Sequence, residues 1–244
     1  MAVIAVYSVK GGVGKTTIAA NLAWCSAAIS CRKSLLWDLD AASGAGFLLG
    51  VDGDGKRAAQ SVFARDAEPE KLIRKTAWPK LDLLPADESL RALDALFAEM
   101  GKRKRLAKTA ATLARRYERI LLDCPPVLSE LSAQVLRAAD IVVVPLPPSP
   151  LSARALDLVT REVREHARGE PVILPVLSML DTRRALHREV RAEHPDWPAI
   201  PLASAVEQCA VRRQPLGAFA PTSVAVRGFG QLWTAIERRL TGTR

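Results

Sequence analysis

The segment Lys10-Gly-Gly-Val-Gly-Lys-Thr-Thr17 constrains this chain more than any other. It follows a short apolar run, Val3 to Tyr7, and opens an alanine-rich stretch from Thr16 to Ile29 with apolar spacings of three and four. Strand, glycine loop, then helix is the context that turns a glycine pattern into a phosphate-binding loop. Glycines let backbone N–H groups approach phosphate oxygens, and the helix amino terminus adds partial positive charge. In such a loop Gly11, Gly12, Val13 and Gly14 form the cradle, Lys15 reaches the β- and γ-phosphates, and the Thr16 hydroxyl ligates magnesium.

Further apolar runs recur at Ser34 to Trp37, Leu81 to Leu84, Ile120 to Leu122, Ile141 to Pro145 and Val172 to Leu177. Most are rich in β-branched residues or leucine without polar alternation, as strands buried on both faces of a parallel sheet require. Helix-like patterns lie between them, over Ser89 to Tyr117, with a possible break at Gly101, and over Ser152 to Ala167. Pro145 to Pro150 reads as a loop between a strand and a helix. With 244 residues and 49% hydrophobic content, the order predicts one α/β domain over residues 1–244, a doubly wound, mostly parallel sheet flanked by helices, of P-loop NTPase type.

Two acidic elements accompany the loop. Asp38 and Asp40 close the second run, and alternation along a strand would put both carboxylates on one face. Asp123 ends Tyr117-Glu-Arg-Ile-Leu-Leu-Asp-Cys-Pro-Pro126. Carboxylates at strand ends beside phosphates hold magnesium or orient an attacking water. The expected metal set is therefore Thr16, Asp38 and Asp123, with Asp38 alternatively a capping carboxylate.

The lysine at position 10 departs from an ordinary phosphate loop. Here the chain resembles the ParA/MinD family of deviant-Walker ATPases, whose KGGxGKT[T/S] motif Lys10 to Thr17 match in full. Asp123-Cys-Pro-Pro126 resembles the family's DxPP, and the similarity continues through Ala139 to Pro145, Val176 to Asp181 and Ile200 to Leu216. The resemblance implies ATP and Mg2+ as cofactors, an ATP-sandwich homodimer in which Lys10 reaches the partner's phosphates, and Asp40 as the residue that positions the hydrolytic water. Lys10, Lys15 and Asp40 would be the catalytic set. It also implies slow turnover until a ParB-like or other partner protein stimulates it. Ala41-Ala42 replaces the family's usual Pro-Gln after the acidic pair, and Ser178 stands where an asparagine near the adenine is common.

The net charge of +9 favours an anionic partner. Between Gly101 and Leu122 eight basic residues (Lys102, Arg103, Lys104, Arg105, Lys108, Arg115, Arg116 and Arg119) face one acid, Glu118. Family members carry DNA-contacting residues nearer the carboxyl end, where this chain has Arg183, Arg184, Arg188, Arg191, Arg212 and Arg213. A helix over 182–194 would place Arg184, Arg188 and Arg191 on one side. Nonspecific DNA is thus the expected platform for partitioning or positioning a plasmid, chromosome or protein cluster. A membrane-associated switch and a low-turnover regulator are the alternatives. The stripe Phe229, Leu232, Trp233, Ile236 and Leu240 would suit a membrane-surface helix, but it equally suits a last helix packed on the sheet, which is the preferred reading.

No basic leader precedes the loop and no run of about 18 apolar residues occurs, so a cytoplasmic, nucleoid-associated protein is expected. Cys25, Cys31, Cys124 and Cys209 lack metal-binding spacing and read as reduced, mostly buried thiols.

Overall fold

A computed structural model describes residues 1–52, 59–63, 68–93, 97, 105–167 and 169–242. The strands are β1 (Ala2–Val6), β2 (Ser34–Asp38), β3 (Arg74–Lys75), β4 (Leu81–Leu84), β5 (Arg119–Asp123), β6 (Ile141–Leu146), β7 (Val172–Leu180) and β8 (Ala199–Pro201). Among the described residues they form one sheet in the order β3-β4-β2-β5-β1-β6-β7-β8, parallel except for the β3 edge. The expected doubly wound, mostly parallel sheet is what the chain builds.

The period-two alternation of β1 divides the core. Val3, Ala5 and Tyr7 join one apolar layer with Leu35, Trp37, Ile120 and Leu122. Ile4 and Val6 join the other with Leu36, Leu121, Val143 and Val176. The first layer is covered by α3 (Arg105–Leu113), α4 (Glu130–Ala138) and α5 (Pro150–His166), and the second by α1 (Lys15–Ala28) and α9 (Val224–Gly242). The remaining helices are α2 (Gly44–Leu48), α6 (Ala185–Glu193), α7 (Ser204–Arg212) and α8 (Leu216–Phe219).

The last helix is packed into the second layer. Phe229, Leu232, Trp233 and Ile236 are buried, and the Trp233 indole N–H donates to Ser30 Oγ at 2.7 Å. Glu237 forms a two-armed ion pair with Arg119 at 2.7 and 2.8 Å. No helix among the described residues is long and apolar enough to cross a membrane. Three of the four free cysteines are buried, and Cys31 is exposed.

Two expected boundaries move. The strand β6 runs through Pro145 to Leu146, because the Val143 carbonyl faces β1 and Pro145, two residues on, turns its missing N–H towards the side where β1 has already ended. The helix expected over Ser89 to Tyr117 begins instead as a tight turn, Glu88–Ala92, capped by Asp87, which accepts the Ser89 N–H at 2.8 Å; a regular helix is present at Arg105–Leu113. Gly101, Lys102, Arg103 and Lys104 lie outside the described residues, and Arg105, beside them in sequence, is buried.

Candidate nucleotide site

Parallel strands bring the loop and the acids to one edge. Val6 of β1 and Asp38 of β2 both register with Asp123 of β5, so the residues after β1 and two carboxylates share the carboxyl end of the sheet. The loop turns through Gly12 (φ 71°) and Gly14 (φ 89°), left-handed conformations that side chains disfavour, and Gly14 leads directly into α1.

Lys15 is 7% exposed, and its ammonium donates to the Lys10 carbonyl oxygen at 3.2 Å. Burial holds its pKa below the usual lysine value, and the nearby Asp123 carboxylate opposes that shift. The backbone of Lys10 is thus tied to Lys15, whereas no hydrogen bond or ion pair of the Lys10 ammonium occurs among the described residues. The half-buried Lys10 borders a surface cleft of about 440 Å³ with Arg154 and Arg161 of α5.

Asp123 is fully buried, and neither of its oxygens has a hydrogen-bond partner. The Thr16 hydroxyl lies close enough to favour its charged form, but burial first, and then the Asp38 charge, push the carboxyl well above the usual carboxylate range. A buried carboxylate left open beside a hydroxyl and an ammonium is a costly arrangement unless a cation joins it. These oxygen donors suit magnesium, a hard cation that takes one or two protein oxygens and keeps phosphates and water as its other ligands.

Asp38 is placed differently. Its two oxygens accept the N–H groups of Asp40 and Ala45, both at 3.0 Å. Burial raises its pKa to about 7, against the effect of those bonds. Asp38 therefore ties the following turn to the strand end and stands next to Asp123. The strand stops at Asp38, so alternation along a strand does not carry on to Asp40. Asp40 is half-buried in the turn beyond, where its carboxylate accepts the Ala42 N–H at 3.0 Å and its carbonyl accepts the Ser43 N–H. The turn presses on the loop: a Cβ on Gly44 would sit 3.1 Å from Thr16 Cγ2. Nothing in the sequence showed Gly44 to be a neighbour of Thr16.

Beside the loop, a cavity of about 150 Å³ is lined by Gly14, Thr17, Ser178, Met179, Pro201 and Phe229, among others. Ser178 is 2% exposed and its hydroxyl has no partner. Met179 holds a left-handed backbone (φ 53°), a strained conformation with no warning in the sequence. A larger cavity, about 460 Å³, lies at the opposite end of the sheet around Arg32, Glu118 and Arg119. There Arg32 pairs with Glu118 and Arg119 with Glu237, and Arg32 Nε alone is buried without a partner.

The six arginines do not form one free cluster. Arg183 grips Asp181 with two bonds at 2.8 and 2.9 Å, and Arg188 donates to the Thr182 and Arg183 carbonyls. Arg191 holds the His194 and Trp197 carbonyls. Arg212 lies over the Phe219 ring, and Arg213 pairs with Asp52 and covers Phe47. Arg184, at the start of α6, is bonded through its backbone, and its guanidinium makes no hydrogen bond or ion pair among the described residues.

Comparison with known proteins agrees with this geometry. The AAA domain family model matches residues 1–170. The sporulation initiation inhibitor protein Soj of Bacillus subtilis is 32% identical over 197 residues, covering 78% of each chain. The chromosome partitioning protein ParA of Myxococcus xanthus is 32% identical over 200 residues, which are 78% of this chain and 69% of that protein. Among solved structures, cobyrinic acid a,c-diamide synthase of Mycobacterium smegmatis, with a bound ATP analogue and magnesium, superposes with a TM-score of 0.82 at 25% identity, covering 100% of this chain and 97% of that one. With the loop, the open Asp123 and these relatives together, the chain belongs to the ParA/MinD family of P-loop ATPases.

Proposed function

We propose that this chain binds ATP with magnesium, closes as a homodimer around two nucleotides, binds DNA nonspecifically in that state, and hydrolyses ATP to partition or position a cargo. The observation that carries the reading is the division of labour between two lysines. Lys15 is buried and tied to the loop, while Lys10 keeps its ammonium unengaged at the surface. A second copy facing that surface is the natural recipient of such a charge.

Each residue then has a task. The loop N–H groups and Lys15 would hold the phosphates, and Thr16 with Asp123 would hold the metal. Bound magnesium supplies charge neutralisation between the phosphates. Asp38 fixes the turn that carries Asp40, and Asp40 is placed to orient water. The cavity beside Gly14 and Thr17 suits the base, with the unpaired Ser178 hydroxyl as its one buried polar contact. Turnover is slow until a ParB-like or other partner arrives. DNA is favoured over a membrane as the platform because the apolar stripe of α9 is already spent in the core and Glu237 is anchored by Arg119. Arg184, exposed and unpaired, is the first arginine to test for DNA contact.

Asp40→Ala tests the switch. With ATP it is expected to accumulate as a dimer, read by light scattering after gel filtration, and to stay on nonspecific duplex in a manner that weakens steeply with salt. An Asp40→Ala protein that remains monomeric with ATP, or equal DNA retention with ADP and ATP, would sink the reading.

A further inference from the structure

The short helix α2 carries the chain away from the turn of Asp40, and both of its ends are tied back to α1. At its start the Ala45 N–H donates to Asp38, and Gly44 presses on Thr16 of α1, where an added Cβ would sit 3.1 Å from Thr16 Cγ2. At its far end the Phe47 carbonyl accepts the Arg213 Nε–H at 3.2 Å. The Arg213 guanidinium lies 4.9 Å from the centroid of the Phe47 ring, and its two terminal nitrogens pair with Asp52. The chain leaving α2 closes on the same residue through Gly50 (φ 70°), where a Cβ would meet the Arg213 carbonyl oxygen at 3.3 Å.

Arg213 is itself fixed on α1. It caps the carboxyl end of α7, and the Leu216 N–H just beyond it donates to Asn21 Oδ1 at 2.7 Å. Asn21 is 2% exposed, and its side-chain amide donates to the Thr17 carbonyl at 2.8 Å, within the first turn of α1. Asn21 thus ties the end of α7 to the phosphate loop's own helix, and Arg213 ties the far end of α2 to α7. The backbone of Arg213 adds a second observation. It holds φ 53° and ψ 44°, the left-handed conformation that glycine adopts freely and that costs any other residue. A helix end of this kind asks only for a backbone, which glycine would supply at less cost. Every side-chain hydrogen bond and ring contact of Arg213 among the described residues goes to Phe47 or Asp52.

We propose that Arg213 is a positioning residue for ATP hydrolysis, clasping the far end of α2 so that the turn of Asp40 stays against Thr16. The proposal rests on the reading of Asp40 as the residue that orients water. Among the described residues the Asp40 carboxylate is held only by the Ala42 N–H of its own turn, so its distance from Thr16 follows wherever α2 goes. With the clasp open, α2 pivots on Gly44 and carries that turn with it. Phosphate binding does not need the clasp, because the loop glycines, Lys15 and Thr16 belong to the β1–α1 connection. Loss of Arg213 should therefore slow the chemical step and leave nucleotide affinity in place.

Arg213→Gly is the direct test, because it relaxes the backbone while it removes the clasp. Hydrolysis of ATP with magnesium by the full-length protein is expected to lose about tenfold in kcat, with KM within about twofold of wild type. Resistance to urea should be no lower than in the wild type, whereas an arginine with a merely structural role would take stability down with the rate. Arg213→Lys keeps the charge without the planar fork and should recover only part of the rate. Asp52→Asn should cost about two- to threefold, since that ion pair is exposed and the Phe47 contacts remain. In nucleotide-free protein, amide exchange at Ala45 and Leu49 should quicken in Arg213→Gly, while exchange at Leu216 stays as in the wild type. Wild-type turnover by Arg213→Gly, unchanged exchange at Ala45 and Leu49, or loss of DNA retention with turnover intact would overturn the proposal. An Asp40→Ala protein that hydrolyses ATP like the wild type would instead count against the reading of Asp40, and exchange would still settle whether Arg213 holds α2.

Discussion

The two ends of the central sheet are made by the same strands and treat their charges in opposite ways. At the amino ends, Arg119 is held by both oxygens of Glu237, Asp140 accepts the Val3 N–H at 2.7 Å, and Trp233 reaches Ser30. Arg32 Nε is the exception there, buried without a partner. At the carboxyl ends, both oxygens of Asp123 and the hydroxyl of Ser178 are buried and unpaired, and Lys15 has a single carbonyl for company. Buried polar groups normally find partners, so the second end carries a cost that folding alone does not explain. One end stabilises the fold, and the other is kept open for a ligand.

The contrast breaks most sharply at Asp123. Asp123→Asn removes a charge that burial and Asp38 both disfavour, so the nucleotide-free protein is expected to gain about 1–3 kcal/mol of stability in urea unfolding near pH 7.5. The same change should weaken magnesium-dependent ATP binding by about 100-fold, measured by calorimetry with and without the metal. A variant that loses stability would mean that the carboxylate has a structural partner, and the two ends would no longer differ.

Arg119→Met is the counterpart at the other end. It leaves Glu237 with only the longer contact to Arg32 at 3.9 Å, and with one partner nearly buried and the other at the rim the expected loss is about 2 kcal/mol. Nucleotide affinity should not move, since the strand separates the two sites. A variant with wild-type stability but weakened ATP binding would reverse the assignment of the ends.

The sequence revealed the functional end better than the stabilising one, for a physical reason. Lys10 to Thr17 are contiguous, and glycine conformations with phosphate-binding side chains leave a dense local pattern. Strands β2, β4, β5 and β6 were readable as apolar runs because both faces are buried. The three-residue β8 and two-residue β3 carry too few residues to show a period. Long-range pairs were invisible: Arg119 with Glu237, or Arg213 with Asp52, are 118 and 161 residues apart, and no local pattern joins them. The end of β2 was misplaced by the Asp38-Leu-Asp40 spacing, which looks like strand alternation but spans a strand end and a turn that Asp38 itself stabilises. The helix expected over 182–194 begins only at Ala185, so Arg188 and Arg191 lie on it while Arg184 is its extended N-cap, and the internal carbonyl partners of Arg188 and Arg191 depend on how the chain turns at Thr182 and Trp197.

His187 sharpens the comparison at the smallest scale, because it is a buried polar group satisfied in only one protonation state. Its Nδ1 accepts the Asp181 N–H, which a protonated ring cannot do. Burial first, and then Arg184, hold its pKa below the usual 6.5, opposed by Asp181. The folded protein therefore binds this proton less readily than the unfolded chain does. Its stabilising contribution is complete above pH 6.5 and is lost as the pH falls towards the depressed folded value. The buried Asp38 and Asp123 carboxyls, with raised pKa values, act in the opposite sense and gain stability as the pH falls, so the His187 effect is read as a difference. Between pH 7.5 and 5.5 the urea resistance of His187→Asn, which keeps an acceptor but cannot titrate, should change more favourably than that of the wild type. Exchange of the Asp181 amide should quicken at the lower pH in the wild type and not in the variant. An unchanged pH difference in His187→Asn would mean that α6 is held by the arginine clamps at Thr182 and Trp197 alone, and that its anchoring does not depend on the protonation state of a buried ring.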